Sequence, residues 1–272
     1  MKIYDFDEKF FEYVRTWIAL HPGMSEKQIE ASYNEMMENW LNAPAKWLDG
    51  QTPATYFDRY SEPKDLMKLV EEYDKRDIGL PEPLFSRIVS LGETCAPALI
   101  RIAANEDRPE SLRASCIGML RDIGTDAPHD MYVDLVCNSK KENDLSEMAA
   151  DILAAGDGSD IGLLLDRYDS ATEYGQTLIL DICRFFPGDE RIYEHCMEKL
   201  RNRPEQRALY ASYLAKLGDP RAVETLVKMM QMTDISYLDY IELRNAVEAL
   251  GGDAGEERTF YGDPDYEAMR NI

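Results

Sequence analysis

The feature that most constrains the fold is a glycine that returns about every thirty-two residues between two apolar helical segments. In the stretch KLGDPRAVETL, Gly218 follows one such segment and precedes another. The glycines in this position are Gly92, Gly124, Gly156, Gly188, Gly218 and Gly251, at intervals of 32, 32, 32, 30 and 33 residues. A fixed period of this length is typical of repeat proteins built from one supersecondary unit.

Apolar residues stand at fixed distances from each glycine and define the two helices of a unit. Positions −8 and −4 before the glycine are apolar, with Arg184 as the one break, and positions +8 and +12 after it are apolar as well. Residues four apart share one face of an α-helix. Each unit is therefore predicted to consist of a helix A, a glycine joint and a helix B.

The joint has an explanation in local backbone chemistry. Gly218 can adopt the left-handed conformation that ends helix A. Asp219 can then cap helix B, and Pro220 fits its first turn, where a missing N–H costs nothing. Asp157 and Asp189 occupy the same capping position after their glycines. The joint is predicted to set geometry rather than to perform chemistry.

Three segments resemble the HEAT-repeat family, in particular the short bacterial repeats called phycobilin-lyase-like. They are LRASCIGMLRDIG (112–124), LSEMAADILAAG (145–156) and RALYASYLAKLGDPRAVETL (207–226). The resemblance implies an all-α fold, a right-handed α-solenoid in which helix pairs stack because one pair cannot bury both of its faces. It implies little about activity, since such repeats occur in scaffolds, adaptors and occasional enzymes.

The chain is predicted to contain three segments. Residues 1–80 form an N-terminal helical cap, residues 81–252 form five helix pairs and a sixth helix A, and residues 253–272 form an acidic, aromatic tail. Within the cap, helices are predicted over 7–20 and 26–41. The second of these begins at a capping box from Ser25 to Gln28.

Further helix starts are predicted in the cap at Thr52-Pro53 and at Ser61, the latter helix reaching about residue 75. The aromatic segment WLNAPAKWLDGQTPATYFDRY (40–60) contains Trp40, Trp47 and Tyr56. These aromatics either cover the first repeat or line a groove for a peptide or small ligand. The C-terminal tail either folds back over the last helix or serves as an interaction tail.

The charge of the chain restricts its partners. There are 52 acidic residues against 30 basic ones, a net charge of −22. This balance argues against direct nucleic-acid binding and fits a basic protein or peptide partner.

The N-terminus lacks the pattern of a signal peptide, no apolar run reaches membrane-spanning length, and the five cysteines contain no CxxC pair. A cytoplasmic protein with reduced thiols and no membrane contact is predicted.

No catalytic residue, metal ligand or cofactor site is predicted. The histidines, His21, His129 and His195, lack the spacing that metal sites need, so the di-iron chemistry of some HEAT-repeat hydroxylases finds no ligands. His129 and His195 fall at the edge of the apolar helix face. Cys116 and Cys196 fall within it and are expected to be inert. The chain also lacks a phosphate-binding loop.

The remaining candidate is the exposed face of the B helices. Positions +6 and +10 lie four apart, opposite the buried face, and the resemblance implies that B helices line the concave side of the solenoid. The acidic residues there are Asp130, Asp134, Asp166, Glu194, Glu198 and Glu224. The first hypothesis is a non-catalytic scaffold or adaptor that binds a basic peptide or protein on this face.

Two alternatives remain open. One is an enzyme or small-ligand-binding protein, lyase-like by resemblance, with a pocket at Trp40, Trp47 and Tyr56 that contains a perturbed ionisable group. The other is an acidic mimic of nucleic acid that occupies a DNA-binding protein.

Overall fold

A computed structural model describes residues 2–270, which form α-helices joined by turns and contain no β-strand. The predicted all-α class is confirmed. The chain divides into two compact units between Pro128 and His129. Met1, and residues 271 and 272 of the predicted tail, lie outside the described residues.

The first unit contains the predicted cap, the first helix pair and one further helix A. Its helices are α1 (Phe6–Leu20), α2 (Glu26–Ala31), α3 (Tyr33–Asn42), α4 (Pro63–Lys75), α5 (Glu82–Ser90), α6 (Ala96–Ala103) and α7 (Glu110–Ile123).

The second unit contains the remaining repeats and the tail. Its helices are α8 (His129–Asn138), α9 (Asp144–Ala154), α10 (Ile161–Arg167), α11 (Glu173–Cys183), α12 (Glu190–Asn202), α13 (Arg207–Leu217), α14 (Val223–Met230), α15 (Tyr237–Ala249) and α16 (Pro264–Arg270).

The predicted succession of helix A, glycine joint and helix B is present along the array. In the second unit, helix B of one repeat packs on helix A of the next, as α12 does on α13 and α14 on α15. Helices A also pack on each other, as α13 does on α15. Five of the six side chains at position −8 are fully buried, namely Leu84, Cys116, Leu180, Tyr210 and Leu243, whereas Met148 is half-buried. Packed helix pairs therefore supply the core.

The joint at Gly218 has the predicted geometry. Gly218 adopts a φ of 73°, which ends α13. The Asp219 carboxylate accepts the backbone N–H of Arg221 at 2.9 Å, and Pro220 opens a short 3₁₀ turn that leads into α14. Asp189 caps α12 in the same way.

The capping prediction is wrong at Asp157. Its carboxylate accepts the backbone N–H of Ser159 within a turn, and α10 begins only after Asp160. The left-handed residue is Gly158, with a φ of 84°, rather than Gly156. The segment between α9 and α10 contains an extra turn, so the cap moves along the chain.

Three predictions for the cap need correction. The helix predicted over 26–41 is divided at Ser32, whose hydroxyl donates to the Gln28 carbonyl at 3.0 Å and competes with helix continuation. The segment after Pro53 forms only a 3₁₀ turn at Tyr56–Arg59. Helix α4 begins at Pro63 after Glu62, so Ser61 is not its cap. The capping box from Ser25 to Gln28 and the first helix are confirmed.

The C-terminal tail folds back on the last repeat helix. Phe260 is buried, with ring centroids 5.5 Å from Tyr237 and 4.9 Å from Tyr240. The Arg258 guanidinium donates to the Met232 carbonyl at 2.7 Å and lies over the Phe260 ring. The tail thus covers the apolar end of the array, as a terminal cap must.

Replacing Phe260 with alanine should therefore lower the free energy of unfolding by about 3 kcal/mol, because it leaves a cavity against α15. The adjacent Tyr261 is 71% exposed, so Tyr261→Ala should change stability by less than about 0.5 kcal/mol. Urea unfolding of both variants measures the difference. Equal effects would contradict a closed tail.

Replacement of glycine by alanine should have opposite effects on stability at Gly218, which lies in a joint, and at Gly162, which lies within a helix. Gly218→Ala should destabilise by about 1 kcal/mol, since its left-handed backbone disfavours a side chain. Gly162 lies within α10, where an added Cβ meets no atom within 4 Å. Gly162→Ala should therefore stabilise by about 0.5 kcal/mol. Thermal unfolding checks the sign of each change.

Candidate functional site

The six predicted carboxylates lie exposed on four B helices of the second unit. They come from α8 (Asp130 and Asp134), α10 (Asp166), α12 (Glu194 and Glu198) and α14 (Glu224). We refer to these six residues as the acidic face.

Cations of the chain itself neutralise half of the acidic face. Asp134 accepts from Arg167 at 2.6 Å, and Asp166 accepts from Arg191 at 2.7 Å. Glu224 pairs with Lys228, one turn along the same helix, at 2.6 Å. The other three carboxylates, Asp130, Glu194 and Glu198, form no ion pair with a described residue.

Two of these contacts belong to a series that sequence reasoning missed. Arg167 joins α10 to α8, Arg191 joins α12 to α10, and Arg221 reaches Glu190 of α12 at 2.7 Å. We call these three residues the arginine ladder. The pattern Gly-Asp-x-Arg at 188–191 and 218–221 was a visible signal for two of them.

The ladder also fixes the capping carboxylates. Arg191 and Arg221 each bind the aspartate two residues before them. Hydrogen bonds from these guanidinium groups, the largest cause, lower the pKa of Asp189 and of Asp219. One arginine thus holds a helix start and ties it to the preceding B helix.

Net charge is unevenly distributed along the second unit. Residues 129–183 contain 12 acidic and 3 basic residues, a net −9, whereas residues 184–228 contain 7 acidic and 9 basic residues, a net +2. Asp130, Asp134 and Asp166 therefore lie in a stretch of clear net negative charge. Glu194, Glu198 and Glu224 lie among cations.

The histidines of the second unit have structural partners. His129 Nδ1 lies 3.1 Å from an Asp160 carboxylate oxygen, and the His195 ring stacks on Tyr168 at a centroid distance of 3.8 Å. Among the described residues, no three histidine, cysteine or acidic side chains are arranged to hold a metal ion.

All five cysteines are buried and unpaired. Burial raises the pKa of Cys116, of Cys183 and of Cys196 to about 12. The thiolate, which is the reactive form, is therefore scarce at neutral pH. This agrees with the prediction that Cys116 and Cys196 are inert.

In the native protein, the thiols should consequently react with Ellman's reagent only as fast as the protein unfolds. Denaturant should expose all five. Absorbance of the released thiolate at mildly alkaline pH measures the reaction rate without denaturant and the number of reactive thiols with denaturant. A cysteine that reacts at once in the folded protein would show an accessible, activated thiol instead.

In the first unit, Trp40 and Trp47 border a cleft of about 330 Å³, which we call the aromatic cleft. Its other walls come from α1 and from the segment after α3. They are Lys9, Glu12, Tyr13, Thr16, Ala43, Pro44 and Ala45. The residues of α1 could not be assigned from sequence, because nothing local marks them as neighbours of Trp40.

Tyr56, the third predicted groove residue, does not line the cleft. It is buried in a cluster of aromatic rings, 6.0 Å from Phe6, with the Arg59 guanidinium 3.8 Å above its ring. Burial raises its pKa. Phe6 also contacts Trp47 at 5.2 Å, so the inner sides of the rings pack while the tryptophans border open space.

The cluster also anchors the cap to the first repeat. The turn that contains Tyr56 packs on α5, and Arg87 of α5 donates to the Tyr60 carbonyl at 3.0 Å. The aromatic segment therefore packs on the first repeat, as a cover would, and also borders a cleft.

The ionisable groups of the cleft bind each other. Lys9 Nζ lies 2.8 Å from both carboxylate oxygens of Glu12. The hydrogen bond to Glu12, with the charges of Glu12, Glu8 and Asp5, raises the pKa of Lys9. A raised pKa keeps the amine protonated, which suits binding rather than nucleophilic attack.

Comparison of the chain with protein-family models, curated proteins and solved structures gives no match. No helix within residues 2–270 has the length and apolar character needed to cross a bilayer. Function is therefore inferred from the acidic face and the aromatic cleft alone.

Proposed function

We propose that the protein is a non-catalytic interaction scaffold that binds a basic segment of a partner protein on the acidic face. The observation that carries the proposal is the exposure of the six carboxylates on successive B helices, next to a stretch of net charge −9. Such a potential steers cationic partners to the surface and sets their orientation.

In this proposal the helix pairs of residues 81–252 stack as a right-handed, HEAT-like solenoid with the acidic face on its concave side. Packing of each helix B on the next helix A supports regular stacking within the second unit. The arginine ladder supports it too, since Arg167 and Arg191 join consecutive B helices at their outer surface.

The ion pairs of the acidic face do not block a partner. The side chains of Asp134 and Asp166 remain 61% and 70% exposed, so water competes with their arginines. An incoming lysine or arginine can share these carboxylates, whereas Asp130, Glu194 and Glu198 are already available. The face is thus expected to bind with strong salt dependence.

The proposed setting is the cytoplasm. Five buried, unpaired thiols are compatible with a reducing compartment, where disulfides seldom form. An acidic mimic of nucleic acid remains a hypothesis. It predicts that a DNA-binding domain competes with the basic peptide for the face.

The test uses a fluorescein-labelled, lysine- and arginine-rich helical peptide and fluorescence anisotropy. Converting the six carboxylates to amides (D130N, D134N, D166N, E194Q, E198Q and E224Q) should weaken binding about tenfold at low salt. Raising the salt from about 50 to about 200 mM should reduce the difference.

The matched control removes the same charge from exposed acids away from the face: E142Q, D151N, D234N, E242Q, E256Q and E257Q. This variant should retain most of the affinity. If both variants lose binding equally, the peptide responds only to net charge and the proposal fails. Circular dichroism verifies that both variants are folded.

The aromatic cleft favours a second candidate, a protein with a ligand pocket in the first unit. Its volume of about 330 Å³ is at the lower end of ligand sites. Lys9 and Glu12 neutralise each other and Thr16 donates to the Glu12 carbonyl at 2.9 Å. These contacts favour recognition of a ligand over its chemical conversion.

A further inference from the structure

The aromatic cleft is bordered by two tryptophans whose indole N–H groups form no hydrogen bond with a described residue. Trp40 is only 7% exposed and borders the cleft. Its indole N–H, like that of Trp47, donates to no described residue, yet it is not sealed from solvent. A ligand that enters the cleft can therefore replace water as the acceptor of these indole N–H groups.

The walls of the cleft favour flat apolar groups. The rings of Trp40 and Trp47 lie 6.4 Å apart at an interplanar angle of 23°, and Tyr13 and Pro44 border the same space. A proline ring packs well against such aromatic surfaces, and the extended backbone around it has carbonyl groups without internal partners. A segment of this kind satisfies both the rings and the indole donors.

One edge of the cleft is negatively charged. Three carboxylates, those of Asp5, Glu8 and Glu12, act on the single ammonium group of Lys9. Because Lys9 pairs with Glu12, the excess negative charge near Lys9 comes from Glu8 in the first turn of α1 and from Asp5 at its N-cap. The complementary ligand is an extended segment in which a basic residue accompanies the prolines.

We propose that the aromatic cleft binds an extended peptide segment of a partner protein that contains prolines and an adjacent arginine or lysine. The proline rings pack on Trp47 and Tyr13, the peptide carbonyls accept the indole N–H groups, and the basic residue lies at Glu8 and Glu12. This site is separate from the acidic face and does not depend on the function proposed for that face.

The segment is small enough for the space. A cleft of about 330 Å³ accommodates a few residues of chain rather than a large cofactor. Prolines also reduce the conformational entropy lost on binding, because the free segment is already extended. Selectivity is expected to come from the rings, and the basic residue should mainly raise the association rate.

The first experiment measures binding of a fluorescein-labelled nonapeptide of three Pro-Pro-Arg units. Peptides of three Ala-Ala-Arg or three Pro-Pro-Glu units serve as controls. The Pro-Pro-Arg peptide should bind at least about tenfold more tightly than either, a difference of about 1.4 kcal/mol. Equal affinity for Pro-Pro-Arg and Ala-Ala-Arg would overturn the proposal, since only charge would then be recognised.

The amide variant of the acidic face separates this site from the function proposed above. That variant should keep the preference for prolines even where it loses affinity for the helical basic peptide. If the preference disappears with the acidic face, the proline segment binds there and the cleft is not its site.

The second experiment locates the bound peptide by NMR in the protein without substitutions. The chain has three tryptophans, so a ¹⁵N-labelled sample gives three indole N–H resonances. The peptide should shift those of Trp40 and Trp47 but not that of Trp17, which stacks on His21 outside the cleft. The proposal would be refuted if saturating peptide caused no shift. It would also be refuted if dilution of the protein alone shifted these resonances, since a second copy of the chain would then occupy the cleft.

Two tryptophan substitutions assign the contact. Trp47→Phe retains a ring but removes the N–H and should weaken the Pro-Pro-Arg peptide about five- to tenfold. Trp17→Phe is the matched control and should leave the affinity unchanged. Should Trp47→Phe not fold, Tyr13→Ala on the half-buried wall of α1 replaces it, with the same expected loss. Equal affinities in the cleft variant and the control would exclude the proposed contact.

Discussion

Burial of one face of each helix against the next repeat is the interaction on which the second unit depends. Tyr210 of α13 and Leu243 of α15 are fully buried at the same position of consecutive repeats. A helix pair that lacks a neighbour would expose these side chains to water, at a cost of a few kcal/mol for each. The terminal covers have the same physical origin: the tail places Phe260 over the last helix.

The same packing decides where charge can lie. Once the inner faces of the A and B helices are buried, acidic residues must occupy the outward faces of both, and those of the acidic face lie on the B helices. Repulsion between their carboxylates would loosen consecutive repeats. The arginine ladder counters it by joining α10 to α8, α12 to α10 and the turn before α14 to α12, and the face still retains exposed carboxylates for a partner.

The first unit combines support and recognition in one group of aromatic rings. Phe6 packs on both tryptophans and on Phe57, which contacts Tyr56, and the turn that contains Phe57 and Tyr56 packs on α5. The outer edges of Trp40 and Trp47 remain beside the cleft. Rings held this rigidly lose little entropy when a ligand binds, so the packing that stabilises the cap also prepares the proposed site.

The repeats, their joints and the buried positions could be predicted from the sequence because each depends on residues close along the chain. The period of the glycines predicts the helix pairs, and Gly218, Asp219 and Pro220 have the predicted roles. Local reasoning was wrong where two local preferences compete. Ser32 ends a helix that the periodicity continues, and the turn after Asp157 moves the cap to a later residue.

The sequence by itself determined that the protein is built of helix pairs, that Cys116 and Cys196 lie on the buried helix face and that its B helices present carboxylates. Only the tertiary structure decided which carboxylates are neutralised and which aromatics border open space. Asp134 and Arg167 are 33 residues apart, and Lys9 meets the neighbourhood of Trp47 only because α1 packs on α3. Helical periodicity specifies the face of a side chain, but its partner is set by how distant helices pack.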